Sequence, residues 1–189
     1  MALLARRSLP GLILSLAALL LLVPNQAVAQ EEAVSKEYQI KAAFLYNFAK
    51  YVEWPARSFP TTGAPIVIGA YCADEFGEVL KQIVRNRKIG GRGIAVKILA
   101  SPAEAGSVHM VYVCGGPAAI WGAVVEALQR DAVLTVADLE EPGAPGGMIV
   151  FVLDGDKVRF TINMRKAGRA GLKVSDQLQK LAISVTRAP

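Results

Sequence analysis

Histidine occurs once, at His109, and cysteine twice, at Cys72 and Cys114, in a chain of 189 residues. So little of the usual catalytic and metal-binding chemistry excludes most sites built on it. One histidine cannot supply the clustered ligands of a zinc or iron centre, and no set of ligands with metal spacing accompanies it. A lone histidine within an apolar segment reads as a structural or edge residue. Cys-x-x-Cys is absent, which removes the common dithiol redox site. Gly115-Gly116-Pro117 lacks the wider glycine spacing and the lysine that phosphate-binding loops require. Aromatic residues make up only 7% of the chain and do not interleave with the basic cluster Arg85, Arg87, Lys88 and Arg92, so stacking platforms for nucleic acid are missing. The cluster surrounds the turn Gly90-Gly91 and reads as a solvated loop, with an anionic partner as the other reading. Asp74-Glu75 and Glu140-Glu141 sit beside expected turns, and Ser175-Asp176 has no neighbouring base. Capping and solvation explain them better than a catalytic dyad or nucleophile does. No enzyme activity, cofactor or metal is expected.

Long apolar runs are also scarce, with one exception. Leu12 to Val23 is almost unbroken, follows Arg6 and Arg7, and precedes Ala27-Val28-Ala29. A charged start, an apolar centre and small residues before a cut make residues 1–29 an expected signal peptide, cleaved before Gln30. The run is shorter than the roughly 20 residues that cross a bilayer. No cysteine precedes Cys72, so a lipid-modified cysteine at the new terminus is excluded. Residues 30–189 then form one exported domain, large enough to bury about 70% of its unfolded surface. Arg6 and Arg7 leave with the leader, so nineteen basic residues face 16 acidic ones and the formal charge falls from +5 to +3. That balance is too mild to imply nucleic acid.

Within 30–189, Val34, Tyr38, Leu45, Phe48 and Val52 recur at helical spacing, widened by Ile40, Phe44 and Tyr51. Trp54-Pro55 stops this helix. Short apolar segments then alternate with helical patterns, the signature of a parallel sheet with crossover helices. Strands are expected at 66–72, 94–99, 108–114 and 132–137. One helix carries Phe76, Leu80, Ile83 and Val84, and another carries Ile120, Trp121, Val124, Val125 and Leu128. After the loop 140–147 the pattern becomes a hairpin, 148–153 and 158–163, turning at Asp154-Gly155-Asp156. Its second strand reads as the edge of the sheet. A last helix is expected to carry Leu178, Leu181 and Val185, capped by Ser175. The fold class is thus α/β: a single-domain sandwich with a mostly parallel, Rossmann-like sheet, a C-terminal β-hairpin and flanking helices.

Cys72 and Cys114 each end a seven-residue apolar strand. If those strands are neighbours in a doubly wound order, the two cysteines lie at equal height, at a separation that suits a disulfide. Export favours the bond; two buried thiols acting as small apolar residues are the alternative.

The segment Lys41-Ala42-Ala43-Phe44-Leu45-Tyr46-Asn47-Phe48-Ala49-Lys50-Tyr51-Val52-Glu53-Trp54-Pro55 resembles the opening signature of the YfiR-like periplasmic proteins. Leu134 to Asp138, Gly147-Met148-Ile149, Val158 to Asn163 and Ala170 to Ser175 resemble the second half of that family. The resemblance implies a small periplasmic α/β protein of Gram-negative bacteria. Such a protein binds the periplasmic domain of an inner-membrane diguanylate cyclase, or another sensor protein, and holds it inactive, lowering cyclic di-GMP. The family is associated with dimers and with disulfides, and this chain carries one cysteine pair where some members carry two. An inhibitor needs only to bind one state of its partner more tightly than the other. The aromatic excess around the opening helix offers Tyr46, Tyr51 and Trp54 as partner-binding residues, together with the exposed side of the last helix. The alternatives are a small-ligand sensor, with its crevice near Cys72, Cys114 and Asp138, and, more weakly, a hydrolase using scattered carboxylates.

Overall fold

A helix that places Leu45, Phe48 and Ala49 on one side must find an apolar surface to cover, and in the computed structural model that surface is one face of an eight-stranded sheet. The structure describes residues 26–72, 74–115, 118–128, 132–138 and 146–187. Two contact units divide the chain, Met1–Ser35 and Lys36–Pro189, and the sheet with its packed helices belongs to the second. The expected leader core, Leu12 to Val23, lies outside the described residues. Among those residues no helix is long and apolar enough to cross a membrane.

The opening helix α1 spans Gln26–Tyr51 and starts well ahead of Val34, crossing the expected processing point at Gln30. It gives way at once to β1 (Val52–Glu53), because Trp54-Pro55 forbids further helix. Then follow β2 (Ile66–Tyr71), α2 (Asp74–Val84), β3 (Lys88–Ile89), β4 (Arg92–Ile98), a 3-10 segment (Pro102–Ser107), β5 (Met110–Cys114) and α3 (Ala118–Ala127). The chain closes with β6 (Leu134–Asp138), β7 (Ile149–Asp154), β8 (Lys157–Asn163), α4 (Met164–Arg169), β9 (Lys173–Val174), α5 (Asp176–Leu181) and β10 (Ser184–Thr186).

The sheet order is β10-β8-β7-β6-β5-β2-β4-β3. Strands β4, β2, β5, β6 and β7 run parallel, β8 returns antiparallel, and β3 and β10 finish the two edges. β2 has β4 on one side and β5 on the other, which makes the gap between β2 and β5 the switch point of the winding. Buried residues alternate along the strands. Ile66, Ile68 and Ala70, with Met110 and Tyr112, face α1 and α2, whereas Val111 and Val113 face α3 with Trp121 and Val124. α2 lies so close to β4 that a Cβ at Gly77 would stand 2.3 Å from the end of the Ile98 side chain, which would have to shift to admit it.

Two expectations on the C-terminal region are corrected. β8 is not an edge, because Ser184–Thr186 pairs with it in parallel. Val185 therefore belongs to a strand and not to the last helix, which ends at Leu181. Ser175 does cap that helix, its hydroxyl accepting from the Leu178 amide at 3.3 Å. Of the three apolar residues expected on the helix, only Leu178 is buried there, and Leu181 is 56% exposed. The short β1 pairs with β9 in a separate two-stranded sheet that fastens the end of α1 to the chain after α4.

Candidate functional site

Tyr71 pairs with Val113 at the switch point, so the next residues, Cys72 and Cys114, face each other where β2 and β5 end. They are joined in a disulfide with their Cα atoms 5.1 Å apart. Cys114 in turn registers with Asp138 at the end of β6, and the Gly115 amide donates to the Asp138 carbonyl at 2.7 Å. The three residues expected to line a crevice at the carboxyl ends of the strands are therefore brought together.

The structure fills that crevice with a side chain sequence reasoning passed over. Lys41 of α1, with only 8% of its side chain exposed, ion-pairs with both Asp138 and Glu37. Tyr112 donates its hydroxyl to the same Asp138 Oδ2 at 3.2 Å. Burial pulls the Lys41 ammonium toward neutrality, but hydrogen bonds and charge from Asp138 and Glu37 outweigh it and hold the group above the ordinary lysine range. Burial, reinforced by Asp138, pushes the Tyr112 hydroxyl far up, so it stays protonated and can donate to Asp138. A signal was present: Lys41 stands three residues after Tyr38 and four before Leu45, inside the apolar stripe. A lysine there must be carried inward with a partner. Chemically the cluster is a paired one. The base is protonated, the acceptor oxygen is shared by two donors, and what the arrangement does is clamp α1 onto the end of β6. Among the described residues no group of three or more His, Cys, Asp or Glu side chains could hold a metal ion.

Tyr46, Tyr51 and Trp54 are all half-buried and are held in three different ways. Tyr46 lies under the Arg87 guanidinium, 4.6 Å from ring to cation. Tyr51 carries the Lys50 ammonium at 5.1 Å, while its carbonyl accepts from the Ser175 amide. Trp54 donates its indole N–H to the His109 carbonyl at 2.8 Å and packs edge-on against the His109 ring. Their rings combine fixed positions with partial exposure.

His109 organises the opposite, amino-terminal end of β5. Its Nδ1 accepts from the Val67 amide at 3.0 Å, so Nε2 carries the proton and donates to the Ser58 carbonyl at 3.1 Å. Phe59 stacks on the ring at 4.5 Å. Burial, aided by the charge of Arg92, lowers its pKa despite the bond to Ser58, which makes it a neutral keystone. Arg92 itself leaves the basic cluster: its guanidinium donates to the Thr61 and Ala64 carbonyls and lies 3.8 Å from the Phe59 ring.

Comparison with known proteins adds three findings. A family model described as YfiR/HmsC-like matches residues 38–183. No curated protein matches the sequence. Among solved structures, the ABC domain in complex with L-Trp from Streptococcus pneumonia is similar at 14% identity and a TM-score of 0.43, over 65% of this chain and 56% of that one. The chain thus spans little more than half the length of that protein.

Proposed function

Because the chain belongs to the YfiR/HmsC-like family, whose members regulate diguanylate cyclases in the periplasm, we propose that it is an exported regulatory binding protein that inhibits such a cyclase. It would do so by engaging the cyclase's periplasmic sensor domain and so lower cyclic di-GMP. The observation that carries the reading is the extent of the family match, from Tyr38 to Ile183, which takes in nearly all of the sheet and its packed helices. The Lys41 cluster supports a binding role over catalysis, since its ammonium is buried and ion-paired with Asp138.

Inhibition requires only that the inactive state of the partner be bound more tightly, each tenfold preference contributing about 1.4 kcal/mol. Tyr46, Tyr51 and Trp54 are the proposed contacts, because rings fixed in place lose little freedom on binding. A small-ligand reading draws on the meeting of Cys72, Cys114 and Asp138, but one oxygen of the Asp138 carboxylate, Oδ2, is already shared by Lys41 and Tyr112.

The test compares cellular cyclic di-GMP in the host, in a deletion strain, and in that strain complemented with the full gene or a leaderless copy. The proposal expects a rise on deletion that only the full gene reverses. An unchanged level, with the protein shown to be exported and the cyclases expressed, would overturn it. Tyr51→Ala tests the contact assignment: restored cyclase activity with an unchanged melting curve supports it, whereas unfolding shows that the ring is structural.

A further inference from the structure

At the β3 edge of the sheet, the C-terminal end of α2 and strands β3 and β4 enclose an open groove of about 520 Å³. Its floor includes Ile94 and Val96, and its rim carries Lys81, Arg85, Arg87 and Lys88. No acidic side chain lines it. Lys81 is shared with Glu78 at 2.7 Å, but among the described residues no carboxylate pairs with Arg85, Arg87 or Lys88. All four cations are exposed, and Arg87 is held in position by the Tyr46 ring beneath it.

We propose that this groove is a docking site for a short acidic, partly apolar segment of a protein partner. Carboxylates would meet the rim while apolar side chains cover Ile94 and Val96. Two observations select this occupant. The groove carries charge of one sign over an apolar floor, which is complementary to a segment combining carboxylates with apolar side chains. Its size suits several side chains. Lys88 on the two-residue β3 guards the edge against added strands, so the segment enters by its side chains. The inference names a surface and a ligand chemistry that hold whichever membrane protein is the partner.

The experiment uses the purified full chain and a fluorescent peptide of alternating Glu-Glu and Leu-Leu pairs, read by anisotropy. Saturable binding that weakens with salt is expected, together with a loss of about tenfold or more in R85E/K88E. K157E/R169E changes the net charge equally at remote exposed sites and should leave affinity within about twofold. Arg87→Gln, which loses the contact with Tyr46, should weaken binding with little change in melting temperature. A peptide with lysine in place of glutamate should not bind. Equal losses in the two double variants would overturn the proposal, as would no saturable binding by the wild type. So would binding to phosphatidylglycerol vesicles that depends on Arg85 and Lys88 when the peptide does not bind.

Discussion

On the α1 side of the sheet, seven aromatic rings follow one another: Tyr38, Phe76, Tyr112, Phe151, Phe48, Phe160 and Phe44, each within 6 Å of the next between centroids. The α3 side has a single fully buried aromatic, Trp121, packed among Val111, Val113, Val124 and Ala137. Its indole N–H finds no acceptor among the described residues. One face combines edge-to-face ring pairs, a long helix and the Lys41 clamp; the other is covered by a ten-residue helix and a short 3-10 segment. Such a division places most of the resistance to unfolding on the first face and makes the second the place where local opening starts.

The strongest test of that division is Phe48→Ala. Phe48 is fully buried and touches the rings of Phe44, Phe151 and Phe160, so its loss should destabilise by about 3–5 kcal/mol in denaturant titration. A loss below about 1 kcal/mol would mean the ring ladder can collapse around the gap and the faces are less unequal than they look. Replacing both cysteines by alanine removes a link across 42 residues, worth about 4 kcal/mol in the chain-entropy model. Hydrogen exchange should then rise first at the ends of β2 and β5, and protection lost first in α1 would contradict the clamp.

A smaller effect concerns acid. The unfolded His109 side chain takes up a proton near pH 6.5, whereas the native ring, buried and accepting from Val67, resists it. Its contribution is therefore complete above about pH 6.5 and declines as the pH falls from there toward the lowered native pKa, by at most about 1.4 kcal/mol per unit. His109→Gln should flatten that part of the stability–pH curve, and an unchanged slope would assign the acid response to other groups. Least costly should be Trp121→Phe. It removes the unpaired N–H, which offsets the cavity it leaves, so a change below about 1.5 kcal/mol is expected. A larger loss would show that the thinner face depends on this indole as heavily as the other depends on its ladder.

The parallel strands were legible because each is a run of apolar residues bounded by turn chemistry, and β2 begins at Ile66 as the pattern predicts. The hairpin turn was equally plain from Asp154-Gly155-Asp156 between two apolar runs, and Gly155 takes a φ of 59° that suits glycine. β1, β3, β9 and β10 were not, because two or three residues carry no period. Ser184–Thr186 continues what looks like a helical stripe, and only its pairing with β8 reveals it as a strand. Cys72 and Cys114 could be matched from their positions at strand ends. The partnership of Lys41 with Asp138 could not, since 97 residues separate them and only the folded register sets them face to face.

The link between Cys72 and Cys114 also makes a covalent ring of everything between them: α2, the β3–β4 hairpin, the 3-10 segment and β5. A single peptide-bond cut within this ring opens it without releasing a fragment. The basic groove lies wholly inside it, so after one cut within the ring Lys81 and Lys88 would still belong to one covalent molecule. Opening the scaffold and detaching that surface are thus separate events, because detachment requires a second cut within the ring.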